Sequence, residues 1–195
     1  MLVNKPIGIE ILNPRIYDKR GLFYSAYGVK RINLPPGDYS ISGRFKEIPF
    51  INYKLPEMPS REKLYRVPKI KDIKIEFIDK LVHNGKIIKG QIDIHRNLMQ
   101  LNSSLLNGPS AQLYAVLFHE LGHYKYYTEE KCDIYSIIRM LEYGFNPSQM
   151  KAFLSVLRGN PDRKNIVMKT AKSADREDRN RRDNFRIGLS SLFRI

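Results

Sequence analysis

His119 and His123 stand four residues apart in a stretch that reads as helix, with Glu120 directly after the first of them. On a helix of about 3.6 residues per turn, positions i and i+4 share one face, so both imidazoles point the same way and can share one metal ion. Imidazole nitrogen is a good zinc ligand, and a catalytic zinc takes three protein ligands while keeping one position for water. A carboxylate beside the first histidine can accept a proton from that water. The three residues therefore offer metal-assisted hydrolysis with Glu120 as general base. The plainer alternative is a surface helix whose histidines fall at this spacing by accident. With 4 histidines in 195 residues, accident produces such a pentapeptide only about once in a few hundred chains of this composition.

The flanking residues build the helix that carries them. Pro109 suits a first helical position, and Leu113, Val116, Leu117 and Leu121 recur at helical spacing, which predicts one helix over 110–124 with a buried stripe. The histidines lie at the edge of that stripe. Ala115 and Gly122, on their side, are small enough to admit a metal and a second element. A glycine inside a helix costs about 1 kcal/mol relative to alanine, so Gly122 points to a packing or functional reason. Thr128 then reads as the N-cap of a second helix, with Glu129 and Glu130 in its first turn and Ile134, Ile137, Ile138 and Leu141 as its stripe. Gly144 ends it, with Pro147 shortly beyond. The short link over 124–128 predicts a tight antiparallel hairpin that sets the second helix opposite His123. Glu129 and Asp133, four apart, face the same way, and either carboxylate can reach the metal as third ligand. Glu130 aligns with the apolar stripe instead.

His119-Glu120-Leu121-Gly122-His123 matches the HExxH pattern of zinc-dependent peptidases. Glu129-x-x-Cys132-Asp133-x-x-Ser136 resembles the E-x-x-A-D-x-x-A element that follows HExxH in gluzincin-type zinc metallopeptidases. The likeness covers residues 113–141 and looks most like the compact metallopeptidase-like proteins encoded by phages and mobile elements. It implies zinc held by His119, His123 and Glu129, with Glu120 as general base, Asp133 as the partner that orients His119, and peptide-bond hydrolysis as the reaction. A carboxylate in the place of Asp133 fixes the imidazole tautomer and raises its basicity. Two departures stand out: the interval from His123 to Glu129 is shorter than most gluzincins have, and Cys132 and Ser136 replace the alanines. Metzincins carry their third ligand at this interval, but they need a glycine midway, where this chain has Tyr126. Tyr126, Tyr127 or Tyr135 could supply a hydroxyl to the oxyanion, although each reads more simply as structural.

Length suits one domain with a core large enough to fold without staples. The single cysteine, Cys132, excludes an intramolecular disulfide framework and reads as a small core residue. The opening Met1-Leu2-Val3-Asn4-Lys5-Pro6 leads into no long apolar run, so a secretory signal is not expected, and no stretch has the roughly 20 apolar residues of a membrane span. A cytoplasmic or virion-associated protein is the expectation. Net charge is 34 − 20 = +14, which attracts nucleic acid, acidic protein surfaces or acidic substrates. The excess is spread, with 19 basic and 10 acidic residues over 1–110 and 15 and 10 over 111–195. The densest run, Arg176 to Asp183, mixes both signs and reads as a solvated helix, so specific nucleic-acid binding is not favoured.

The expected fold class is α+β, a small zincin-like domain with a β-rich N-terminal half, an active-site helix and a helical C-terminal half. Residues 1–48 form the β-rich segment. Pro35-Pro36-Gly37-Asp38 is a turn, Tyr39, Ile41 and Phe45 alternate after it, and 22–34 reads as one further strand. Residues 49–68 form a proline-rich basic connector, either a strap on its own domain, the favoured reading, or a docking segment for a partner. Residues 69–195 form the metallopeptidase-like core: Ile73, Ile75 and Phe77 alternate, Asn84-Gly85 signals a hairpin, and Ile92 and Ile94 lead toward the histidines. A sheet feeding such a helix looks like the zincin arrangement, in which an edge strand holds the substrate extended. His83 and His95 read as surface or hairpin residues and not as a fourth ligand. Helices are expected from Asn146 to Gly159 and from Pro161 onward, and the apolar end, Gly188 to Ile195, packs on the core or on a partner. Two function classes follow: a zinc endopeptidase acting on protein or peptide substrates, favoured because Glu120 is intact, or a non-catalytic structural or binding protein, such as a basic phage virion component, that keeps a zinc-bound metallopeptidase fold.

Overall fold

Apolar alternation in the first half becomes seven short strands. This computed structural model describes residues 1–53, 55–60, 65–154, 157 and 160–173. The strands are β1 (Leu2–Val3), β2 (Ile7–Leu12), β3 (Arg15–Asp18), β4 (Gly21–Ser25), β5 (Val29–Leu34), β6 (Gly37–Ser42) and β7 (Phe45–Ile48). They pair antiparallel in two sheets, β1-β6-β3-β4 and β5-β2-β7. Ile9, Ile11, Ile16, Ile32 and Leu34 point from them into the core, as a two-residue side-chain period requires.

The stretch 22–34 is two strands in different sheets, not one. Gly28 takes a left-handed φ of 79°, and its N–H donates to Asn13 Oδ1 at 2.6 Å while Asn13 N–H donates back to the Gly28 carbonyl. The turn redirects the chain from β4 to β5. Gly43, at φ 107°, likewise separates β6 from β7, so Phe45 belongs to a new strand. Periodicity alone does not show such breaks, because the apolar alternation resumes in phase after the glycine.

Five more strands follow: β8 (Lys74–Ile78), β9 (Val82–His83), β10 (Lys86–Ile87), β11 (Gly90–Asp93) and β12 (Leu98–Asn102). β9 and β10 close a hairpin on Asn84 and Gly85, both at positive φ, as the Asn-Gly pair predicts. β12 is the centre of a three-stranded sheet, antiparallel to β11 and parallel to β8, with Met99 and Leu101 fully buried. β11 is an edge of that sheet and lies along the helix that carries the histidines.

The helical half begins with α1 (Ser110–Gly122), capped by Pro109, and α2 (Glu129–Tyr143). α1 stops short of the expected Tyr124 because residues 123–126 tighten into turns whose amides return to Glu120, Leu121 and Gly122. Gly144, left-handed at φ 110°, terminates α2, and Phe145 N–H closes onto the Met140 carbonyl. Gly122 lies so near α2 that a β-carbon there would sit 3.0 Å from Cys132 Cα, and Ser136 Oγ donates to the Ala115 carbonyl at 2.7 Å. A 3-10 turn (Pro147–Met150), α3 (Lys151–Leu154) and a helix over 161–173 follow. Gly159, the run Arg176 to Asp183 and the apolar end Gly188 to Ile195 lie outside the described residues.

The chain is α+β, β-rich first and helical afterwards. Most of its buried hydrophobic side chains form one cluster from Val3 to Ala171. The described residues of 49–68 have neither strand nor helix, and they bind their own chain: Tyr53 donates to Asn146 Oδ1, and Tyr126 donates to the Pro59 carbonyl. Asn146 also accepts from Asn33 N–H and donates to the Asn33 carbonyl, tying β5, the connector and the end of α2 at one buried point.

Candidate metal centre

His119 in α1 and His123 at its C-terminal cap each turn one ring nitrogen to a residue one turn into α2, Asp133 or Cys132, and the other to Glu129 at the start of α2. His119 Nδ1 lies 2.8 Å from Asp133 Oδ1 and its Nε2 lies 3.1 Å from Glu129 Oε2. His123 Nδ1 meets Cys132 Sγ at 3.5 Å and its Nε2 lies 3.6 Å from Glu129 Oε1. The close crossing at Gly122 makes this possible: with α2 held against α1, the first turn of α2 faces both imidazoles. The tight turns over 123–126 therefore bring Glu129 to the histidines with Tyr126, not a glycine, midway. Asp133, one turn deeper, is fully buried, whereas Glu129 is 50 % exposed.

His119, His123 and Glu129 form a cluster whose ligand-capable atoms all lie within 4.8 Å of one another. In a tetrahedral zinc shell with bonds of about 2.0–2.1 Å, neighbouring ligand atoms are about 3.3 Å apart. Each Nε2 lies near that distance from one Glu129 oxygen, 3.1 Å to Oε2 for His119 and 3.6 Å to Oε1 for His123, and two imidazoles with one carboxylate are an ordinary donor set for zinc. The residues present fit such an ion. Asp133 stands on the Nδ1 side of His119, away from the two Nε2 atoms that converge on Glu129. Its Oδ1 lies 2.8 Å from His119 Nδ1, although the ring N–H is not aimed along that line.

Glu120 is buried beside the cluster and lines the same cleft, about 840 Å³, as His119, His123 and Glu129. β11, with His95 and Arg96, also lines it. Gly90 in β11 is the near point: a β-carbon there would come within 2.7 Å of Val116 Cγ1 and 2.9 Å of Glu120 Oε1. Burial, reinforced by the Glu129 charge, raises Glu120 to about 7 against the pull of His119 and Arg163. His119 is raised to about 9, because Asp133 and Glu129 outweigh a burial that favours the neutral ring. Hydrogen bonding to His119 holds Glu129 down at about 2 despite its partial burial, with Arg163 and His123 adding to the effect. Burial pushes the Cys132 thiol far up, so it stays protonated.

Sequence reasoning missed three residues here. Arg163 forks onto Asp133, with Nε 2.7 Å from Oδ2 and Nη2 2.8 Å from Oδ1, and its Nη1 reaches Glu129 Oε2 at 3.0 Å. The signal in the chain is only local: Asn160-Pro161 starts a helix, and Asn160 Oδ1 accepts from Arg163 N–H. Cys132 is a partner of His123 as well as a core residue, and Gly90 gives β11 its approach to Glu120. His83 and His95 line the cleft but stand outside the cluster. Tyr126 and Tyr135 are buried in the core, Tyr127 is exposed, and none of the three is among the described residues that line the cleft.

No family model, curated protein or solved structure matches this chain. No helix of the described residues is long and apolar enough to cross a membrane.

Proposed function

We propose that the protein is a zinc-dependent endopeptidase of the HExxH, gluzincin-like kind, with His119, His123 and Glu129 holding the ion, Glu120 as general base and Asp133 orienting His119. The observation that carries this reading is the convergence of both Nε2 atoms and the Glu129 carboxylate beside a buried Glu120 in one open cleft. If Nε2 of each histidine held the ion, Nδ1 would carry the proton, beside Asp133 in one ring and beside the Cys132 sulfur in the other. Zinc bound there supplies Lewis acidity, making a water nucleophilic near neutral pH and polarising the scissile carbonyl.

Glu120 supplies the proton movement. Its raised position near 7 suits a group that takes a proton from the attacking water and returns it to the leaving amine. Glu129, held ionised, brings the negative charge that a cation needs. β11, an edge strand lining the cleft, offers backbone groups to an extended peptide. Protein or peptide is therefore the substrate class, and the phage-particle setting and the attraction to acidic surfaces belong to this proposal too.

Zinc content and cleavage of a peptide library, measured together for wild type and Glu120→Gln, test the reading. The expected outcome is equal zinc in both proteins with a loss of about 10²–10⁴-fold in turnover for the variant. Zinc in both proteins with cleavage by neither would point instead to a basic structural protein that keeps the zinc-bound fold.

A further inference from the structure

We infer that Arg163 is a positioning residue for the metal centre: it holds Glu129 and Asp133 in the places from which one binds the ion and the other orients His119. The inference rests on the zinc reading above. Arg163 comes from the helix over 161–173, 30 residues beyond Asp133 in the chain, and reaches both carboxylates at once. The fork to Asp133 uses Nε and Nη2, which leaves Nη1 for Glu129. A planar guanidinium has this reach; an ammonium, a single point charge, does not.

A further observation supports the role. Asp133 is fully buried, and both of its carboxylate oxygens accept from Arg163, which fixes the plane in which Oδ1 meets His119 Nδ1 at 2.8 Å.

The sign of one measurement separates positioning from simple proximity. A cation beside the ion repels it, so if Arg163 were only a neighbouring charge, removing that charge would tighten zinc binding. A positioning role predicts weaker binding. Full-length wild type, Arg163→Gln and Arg163→Lys are titrated with zinc against a chromophoric chelator, and the visible spectra of their cobalt-substituted forms are compared. Both variants should lose about 10–100-fold in zinc affinity, the range typical for groups that orient metal ligands, with an altered cobalt spectrum. Arg163→Lys keeps a positive charge beside buried Asp133, so it guards against a variant that merely fails to fold. Unchanged affinity and spectrum in Arg163→Lys, or tighter zinc in Arg163→Gln, would overturn the inference while leaving the metal centre in place. A wild type that takes up no zinc would overturn the reading beneath it.

Discussion

Five titratable groups crowd the candidate centre, and their mutual influence gives the chelator-treated protein a pH signature. His119 and Glu120 both sit above their ordinary values, at about 9 and about 7. A group whose folded value is raised adds stability at low pH and loses it as pH climbs through that value. Glu120 therefore withdraws stability between its ordinary 4.5 and about 7, and His119 between 6.5 and about 9. Glu129, lowered to about 2, acts the other way, and its contribution is lost only as pH falls below 4.5. The melting temperature of protein kept in chelator should fall steadily from pH 5 to 9, and Glu120→Gln should flatten the lower part of that fall. A wild-type profile that rises over this range would refute the assignment of these environments. His119, Glu120, His123 and both α2 carboxylates were legible in the sequence because helical spacing places them on facing sides of one hairpin. Arg163 was not, since a bond across 30 residues depends on where a later helix docks.

At the scale of elements, two glycines set how closely the site is built. Gly122 brings α1 onto α2 at Cys132, and Gly90 brings β11 onto α1 at Glu120. At Gly122, the last residue of α1, alanine gains little in helix propensity and clashes with the α2 backbone, and overpacking of that kind costs about 1–3 kcal/mol. At Gly90 no helix gain offsets the clash, and the added carbon lands at the Glu120 carboxylate. Gly90→Ala should therefore keep zinc while losing most turnover, read by metal content beside peptide cleavage; full activity would show that Glu120 does not need this approach. Gly122 was suspect from its place inside a helix, and the structure supplies the neighbour that explains it. Gly90 gave no such sign, for a glycine at a strand start is ordinary until its cross-element partner is known. The same limit hid the breaks at Gly28 and Gly43, where alternation continues across a change of sheet.

Over the whole molecule, one buried cluster joins the β-rich half to the helices, and the node of Asn33, Tyr53 and Asn146 fastens the connector between them. The α+β class followed from periodicity, two-residue in the first half and helical in the second. The path of the connector did not, because prolines at 49, 56, 59 and 68 specify extension without direction. The net charge of +14 is a property of the whole surface and bears on partners, while the candidate centre gathers Glu120, Glu129 and Asp133 about the two histidines. A zinc-loaded crystal structure, phased on the anomalous signal of the metal, tests the central claim most directly. The account predicts one zinc with His119 Nε2, His123 Nε2 and a Glu129 oxygen at about 2.0–2.2 Å, Asp133 remaining with Arg163. Zinc bonded to Asp133 in place of Glu129, or no zinc between α1 and α2, would contradict it.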